Sequence, residues 1–301
     1  MPVVHLADRA VLEVSGPQAA SFLDGLVTCD VDAEGCASPL FGALLTPQGK
    51  ILFDFLIHRV PRGGAEGEGE DGQAFLLDTP AAFAADLAKR LTFYRLRAKV
   101  AIADVSAERA VLAGWDAPPP VGEAIVAGTD PRLADLGWRA IVPRSSVAGL
   151  ADAQPQDYHA HRIACGVPEG GKDYLFGETF PHEALMDQVA GVDFEKGCYV
   201  GQEVVSRMQH RGTARTRILP ATYEDDLAPE TGADVLAGER TIGKAGSSAG
   251  GRGLVMVRLD RVGDALAEGV EIRAGGRKLT LLRPRFVRFE TPAGIEALTK
   301  D

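Results

Sequence analysis

The chain has 301 residues, of which 46% are hydrophobic and 25% charged, the profile of a folded globular protein rather than a disordered one. Its 42 acidic residues against 32 Lys and Arg leave a formal charge of −10. That excludes broad, sequence-independent nucleic-acid binding, because neutralising phosphates needs a basic face.

Short β-like runs come first, at Val3–Leu6 and Ala10–Val14, and Ser15-Gly16-Pro17 then starts a helix with Pro17 at its first position and Ala20, Phe22, Leu23 and Leu26 as its apolar face. Leu40–Leu45 and Ile51–Val60 read as a hairpin joined by Thr46-Pro47-Gln48-Gly49-Lys50. Residues 61–72 are small and acidic, the clearest loop. A strand at Ala74–Asp78 leads to a helix at Thr79–Leu91, capped by Thr79. Strands follow at Ala98–Val105, Arg109–Trp115, Glu123–Ala127 and Trp138–Val142, and helices at Gln156–Cys165 and Cys198–His210. After Arg217 come five short β runs separated by glycine turns, the pattern of a small barrel or sandwich. Trp115 and Trp138 read as core residues.

The four cysteines, Cys29, Cys36, Cys165 and Cys198, form no C-x-x-C pair, and no His cluster has zinc-ligand spacing. The N-terminus lacks a secretory pattern, and charges interrupt every apolar stretch before it reaches a bilayer's width. The expectation is a reduced, cytoplasmic protein with free thiols and no membrane partner. Without a heptad pattern, a monomer is expected. Cys29, Cys36 and Cys165 read as small core residues.

Two nucleotide-binding patterns are set aside. Gly67 to Gly72 spells G-x-G-x-x-G, but within a loop whose carboxylates repel a pyrophosphate. Gly166 to Lys172 nearly spells a P-loop, but Asp173 stands where Ser or Thr ligates magnesium.

Lys196-Gly197-Cys198-Tyr199-Val200-Gly201-Gln202-Glu203 is the informative stretch. Gly197 permits an unusual turn, Cys198 falls at a helix start, and Val200, Val204 and Met208 make a buried stripe. A thiol beside helix N-terminal amides and Lys196 is expected to ionise more readily than a free one; the alternative is a buried structural cysteine. Arg207, His210, Arg211, Arg215 and Arg217 form a basic stretch. Arg211 reads as an anion contact, and Arg215 and Arg217 read as a solvated helix end.

KGCYVGQE resembles the signature of the YgfZ-type folate-binding proteins, relatives of the glycine-cleavage T-protein, an aminomethyltransferase. The segments Ser21–Val31, Leu45–Ile51, Phe180–Glu183 and Gly191–Phe194 resemble that family in the same order. The resemblance implies an α+β fold: two interleaved ferredoxin-like domains over residues 1–215 and a C-terminal β-barrel over 216–301, arranged as a ring around a channel for tetrahydrofolate or a derivative. It implies a role in iron–sulfur cluster assembly or repair, with effects on tRNA-modifying cluster enzymes, and Cys198 as the functional thiol. The expected partners are folate and iron–sulfur assembly proteins or cluster-containing client enzymes, without direct nucleic-acid contact. Candidate folate contacts are Asp54, Glu183, Lys196, Tyr199, Gln202, Glu203 and Arg211. Asp54 remains open between folate contact and solvent exposure. Phe53 replaces one of the T-protein's Asp pair, which weakens the alternative of a tetrahydrofolate-dependent aminomethyltransferase or other one-carbon transferase. One thiol cannot hold a cluster alone, since four ligands are usual, so any ligation is shared.

Overall fold

The computed structural model describes residues 2–31, 39–60, 73–120, 122–212 and 214–299. Cys36 and the acidic loop at 61–72, with its G-x-G-x-x-G pattern, lie outside the described residues. The chain divides into two compact units, Met1–Tyr158 with Ala190–Gln202, and His159–Val189 with Glu203–Asp301.

The first unit contains two sheets. Strand Val3–His5 begins a four-stranded sheet; the chain then builds a five-stranded sheet and returns to the first with Arg109–Gly114, Val126–Thr129 and Trp138–Pro143. The two α+β halves are therefore interleaved along the sequence, as expected. The five-stranded sheet runs Leu40–Leu45, Ile51–Arg59, Ala74–Pro80, Arg9–Ser15, Ala101–Asp104. Alternation along its strands sends Leu12, Val14, Phe53, Phe55, Phe75 and Leu77 to one face. Helices Ala19–Asp24 and Ala84–Arg95 cover that face with Ala19, Leu23, Leu87 and Leu91. On the opposite face Val11 and Leu76 meet Val111, Ala113 and Ile141 of the four-stranded sheet. Trp138 is buried and Trp115 packs beside that core, as expected.

That second interface also holds charges. Asp78 accepts from Arg9 Nε at 2.5 Å and from Arg139 Nη1 at 2.9 Å. Asp130 takes Arg132 in a two-pronged contact at 2.9 and 2.7 Å. The Tyr158 hydroxyl accepts from both Arg132 and Arg139. Burial alone would raise the Asp130 pKa, but the Arg132 guanidinium overrides it and holds the carboxyl below its ordinary range.

His58 is fully buried beside this network, and neither ring nitrogen has a hydrogen-bond partner among the described residues. Burial pushes its pKa down to about 4; Arg139 and Arg9 add to the shift, while Asp78 and Asp130 oppose it. The folded state therefore keeps the ring neutral, while the unfolded chain takes up a proton below pH ~6.5. Stability is full above that value and falls as the pH drops toward 4, by about 3 kcal/mol for this group. Urea midpoints measured at pH 7.5 and pH 5 are expected to diverge in the native chain and to diverge less in His58→Leu, where the half-buried His5 and the buried His182, whose pKa values burial also lowers, still contribute.

In the second unit, strands Thr216–Tyr223, Arg252–Arg258, Arg240–Ala249, Asp234–Ala237, Ile272–Ala274 and Arg277–Arg283 pair in that order, and Thr216–Tyr223 pairs again with Arg277–Arg283 to close a barrel. Its interior packs Leu219, Val235, Val255, Val257 and Leu281, with Val262 and Ala265 of helix Leu259–Ala267 beside them. That helix and strand Asp234–Ala237 add to the five runs expected from the sequence. Asp173, the residue that spoils the P-loop pattern, accepts from Arg162 Nη1, Glu169 N, Ser247 N and Ser247 Oγ at 2.5–2.9 Å. It ties the segment after helix Pro155–Ala164 to a barrel strand.

Several boundaries differ from expectation. The first helix begins at Ala19, with Pro17 in the turn before it. Thr79 caps no helix: the strand runs on to Pro80 opposite Arg9, so Thr79 stays in the ladder and donates Oγ1 to Asp54 O. The helix starts instead at Ala84, after a single 3₁₀ turn, and continues to Arg95. Arg217 is no solvated helix end. It is 6% exposed, pairs with Asp187 at 2.7 Å, donates to His182 O and stacks on Phe289.

Candidate functional site

Residues Gly191 to Gly201 form an irregular loop stitched onto the first unit. Thr28 Oγ1 donates to Gly191 O at 2.6 Å, and Asp193 N returns a bond to Thr28 O at 2.8 Å. Asp193 Oδ1 then accepts the amides of Glu195 and Lys196, tightening the turn. Lys196 points inward, its side chain only 1% exposed. Its Nζ meets Asp24 Oδ1 at 2.7 Å and the carbonyls of Asp24, Val27 and Cys29 at 2.8, 3.1 and 2.8 Å. An ammonium in such a cradle has its charge balanced and its donors satisfied, which makes its burial tolerable.

Tyr199 is also buried, with the Lys196 ammonium over its ring at 5.7 Å. Its hydroxyl has no partner among the described residues. Burial, then the charge of Asp193, pushes its pKa up to about 12, so it stays a neutral donor. Between these two inward anchors Gly197 and Cys198 face outward, and Cys198 is exposed.

The expected helix start at Cys198 is corrected: the helix runs Gln202–Arg211. The turn glycine is Gly201, at φ +83°, where a Cβ would lie 2.5 Å from Thr46 O of the hairpin turn. A left-handed residue there blocks helix propagation toward Cys198. Both features invoked to activate the thiol are therefore elsewhere, because the helix amides begin four residues on and Lys196 is spent on the interior. The alternative of a buried structural cysteine is also removed. The buried helix position is Val205, and the expected stripe through Val204 and Met208 is only half-buried.

Asp54 is 4% exposed, so solvent exposure is excluded. It lies on the sheet face opposite Phe53 and Phe55, which pack in the apolar core. Gln202 is half-buried and reaches Gly197 O at 3.4 Å. In the second unit, Glu183 accepts from Phe180 N at 2.9 Å and braces its own turn, while Glu203 and Arg211 are exposed at the two ends of the helix. Arg207, His210 and Arg215 are exposed as well. Asp24, Thr28 and Asp193 were not singled out as site residues, although all three fall in the segments that carry the resemblance.

Of the other thiols, Cys29 is buried, and burial pushes its pKa up to about 12 against the pull of Lys196. Cys165 is half-buried, 3.9 Å from His161 Nε2. No group of three or more His, Cys, Asp or Glu among the described residues is placed to hold a metal ion. No helix among them is long and apolar enough to cross a membrane.

Comparison with known proteins agrees with this architecture. Residues 215–289 match the C-terminal β-barrel domain of CAF17. A solved glycine cleavage system aminomethyltransferase T from Bartonella henselae superposes with a TM-score of 0.72, covering 95% of this chain and 86% of that one, at 16% identity. At that identity the likeness establishes the fold alone, a T-protein-like α+β fold with a C-terminal barrel. The "Iron-sulfur cluster assembly factor IBA57 homolog, mitochondrial" of Neurospora crassa is 36% identical over 77% of this chain, and the match spans only 56% of that protein. The human and mouse iron–sulfur cluster assembly factors IBA57 are each 32% identical, over 89% and 86% of this chain and 82% and 78% of their own lengths. All of these relatives are named as mitochondrial, which overturns the cytoplasmic expectation drawn from the free thiols. The extent and identity of these matches place the chain in the IBA57 family.

Proposed function

We propose that this chain serves iron–sulfur cluster assembly and that Cys198 is the thiol it contributes, sharing ligation of a cluster with an assembly protein or a client enzyme. The observation that carries this reading is the presentation of Cys198: an exposed thiol on a loop whose neighbours Lys196 and Tyr199 are locked inside. A cluster takes about four protein ligands, and a single outward thiol on a rigid loop suits a shared site better than storage by one chain. The assembly role itself comes from the relatives' names, and the chain spans little more than half of the Neurospora protein.

Tetrahydrofolate belongs to the proposal as the ligand that the resemblance to the YgfZ-type folate-binding proteins implies. A buried carboxylate, Asp54, and a buried hydroxyl with no partner among the described residues, Tyr199, are groups of the kind a reduced pterin engages. Both belong to the first unit. Asp54 would accept from pterin N–H groups, and Tyr199 would donate. When bound, the folate supplies a carrier for one-carbon units. One-carbon transfer is the lesser reading, because Phe53 stands in the T-protein's Asp pair and is packed in the core.

Cys198→Ala is expected to abolish the rescue of cluster-dependent enzyme activity in cells lacking this protein. Its stability should stay within about 0.5 kcal/mol of the native chain, since the side chain is exposed. Full rescue by the variant overturns the role of the thiol. Anaerobic calorimetry with tetrahydrofolate tests the ligand separately: near one-to-one saturation supports it, and no heat up to high micromolar concentration removes it.

A further inference from the structure

The acidic chain carries a concentrated basic surface that neither the cysteine loop nor the candidate folate contacts use. Residues 84–100 hold Lys89, Arg90, Arg95, Arg97 and Lys99 against a single carboxylate, Asp86. On helix Ala84–Arg95 the positions 86, 89, 90 and 93 share one side, at i, i+3, i+4 and i+7. They line a cleft of about 400 Å³ together with Phe53 of the neighbouring strand. Lys89 and Arg90 make no ion pair among the described residues.

Large apolar side chains stand out beside these cations. Phe93 is 70% exposed and Leu96 is 87% exposed. Leu96 ends the helix at φ +45° and ψ −106°, a strained conformation for a side chain that gains no burial from it. Exposed apolar groups beside cations with no ion pair among the described residues, rimming a concavity, are the composition of a contact surface rather than of a solvated helix face.

We propose that this helix face and its cleft dock an acidic segment of a partner protein, which seats an apolar side chain against Phe93 while its carboxylates meet Lys89 and Arg90. Charge complementarity selects the partner: the cations stand clustered on a chain whose net charge is −10. An anionic membrane suits the face less well. A concave wall buries little of itself in a bilayer.

The test is fluorescence anisotropy of the full chain with a labelled nonapeptide, a central Phe flanked by Asp and Glu. Saturable binding is expected, weakened about tenfold or more by K89E/R90E and severalfold by Phe93→Ser, and falling with added salt. Arg240→Glu, an exposed charge change on the barrel, should leave it unaltered. Circular dichroism confirms that each variant is folded. Equal binding of a peptide with Ala in place of Phe overturns the cleft's part in recognition. No binding, or binding indifferent to K89E/R90E, overturns the docking surface. K89E/R90E-sensitive binding to phosphatidylcholine–phosphatidylglycerol vesicles without peptide binding assigns the face to a membrane instead.

Discussion

Replacing Asp78 with alanine is expected to destabilise the first unit by about 3–5 kcal/mol, the cost of stranding buried charges. Asp78 is fully buried between the two sheets and neutralises two guanidinium groups, Arg9 and Arg139, whose side chains are 6% and 2% exposed. The network around it already has three arginines against two aspartates, with a neutral His58 alongside. Removing that carboxylate takes from Arg9 and Arg139 the counter-ion they share, leaves Asp130 at 3.5 Å from Arg139, and deepens an existing excess of positive charge. Asp78→Asn keeps the shape and one acceptor oxygen, but it turns an NH2 donor toward one of the two guanidinium groups and removes the same charge, so it should recover only a minor part of the loss. Urea unfolding followed by tryptophan fluorescence reports this unit, since Trp115 and Trp138 both lie in it. A loss below about 1 kcal/mol would mean that water reaches the arginines on local opening, and that the pair contributes like a surface ion pair.

This network explains why part of the molecule was unreadable in the sequence. Hairpin Leu40–Leu45 and Ile51–Arg59 was legible because its cause is local: two apolar runs on either side of the turn Thr46-Pro47-Gln48-Gly49-Lys50. The barrel strands were legible for the same reason. Arg9, Asp78, Asp130 and Arg139 each look like ordinary surface charges, and only the stacking of two sheets, set by long-range pairing, brings them together inside. Arg217 misled likewise: it follows a basic helix end in sequence, but its strand buries it against Asp187. Propensity also failed where tertiary pairing competed with it. Thr79-Pro80 is a sound helix start, but the ladder with Arg9–Ser15 holds both residues extended. At the candidate site, the octapeptide identified the right loop but not the direction of its side chains. Nothing local distinguishes a Lys196 turned toward Cys198 from one buried against Asp24, which lies more than 170 positions earlier in the chain.

That direction leads to the second large effect. Lys196→Met is expected to loosen the cysteine loop more than any change at Cys198 itself. The ammonium holds one carboxylate and three backbone carbonyls at 2.7–3.1 Å, and methionine fills the volume while offering no donor. Each abandoned buried carbonyl costs about 1–3 kcal/mol if it finds no water, so the three together cost on the order of 3–9 kcal/mol unless the loop opens to let water in. Opening is the cheaper response, because Gly191 to Gly201 has no strand or helix of its own to resist it. Hydrogen exchange is therefore expected to quicken at Asp193, Glu195, Lys196 and the turn around Thr28, while the five-stranded sheet keeps its protection. Lys196→Arg should not restore it: a planar guanidinium projects its donors in one plane and is too long for acceptors that converge on a single point. If exchange in the loop is unchanged in Lys196→Met, the pairing of Thr28 with Gly191 and Asp193 is sufficient to hold it, and Lys196 serves only to balance Asp24. If exchange rises and cluster-enzyme rescue falls with Cys198 still present, the rigidity of the loop, and not the thiol alone, is what the family's function requires.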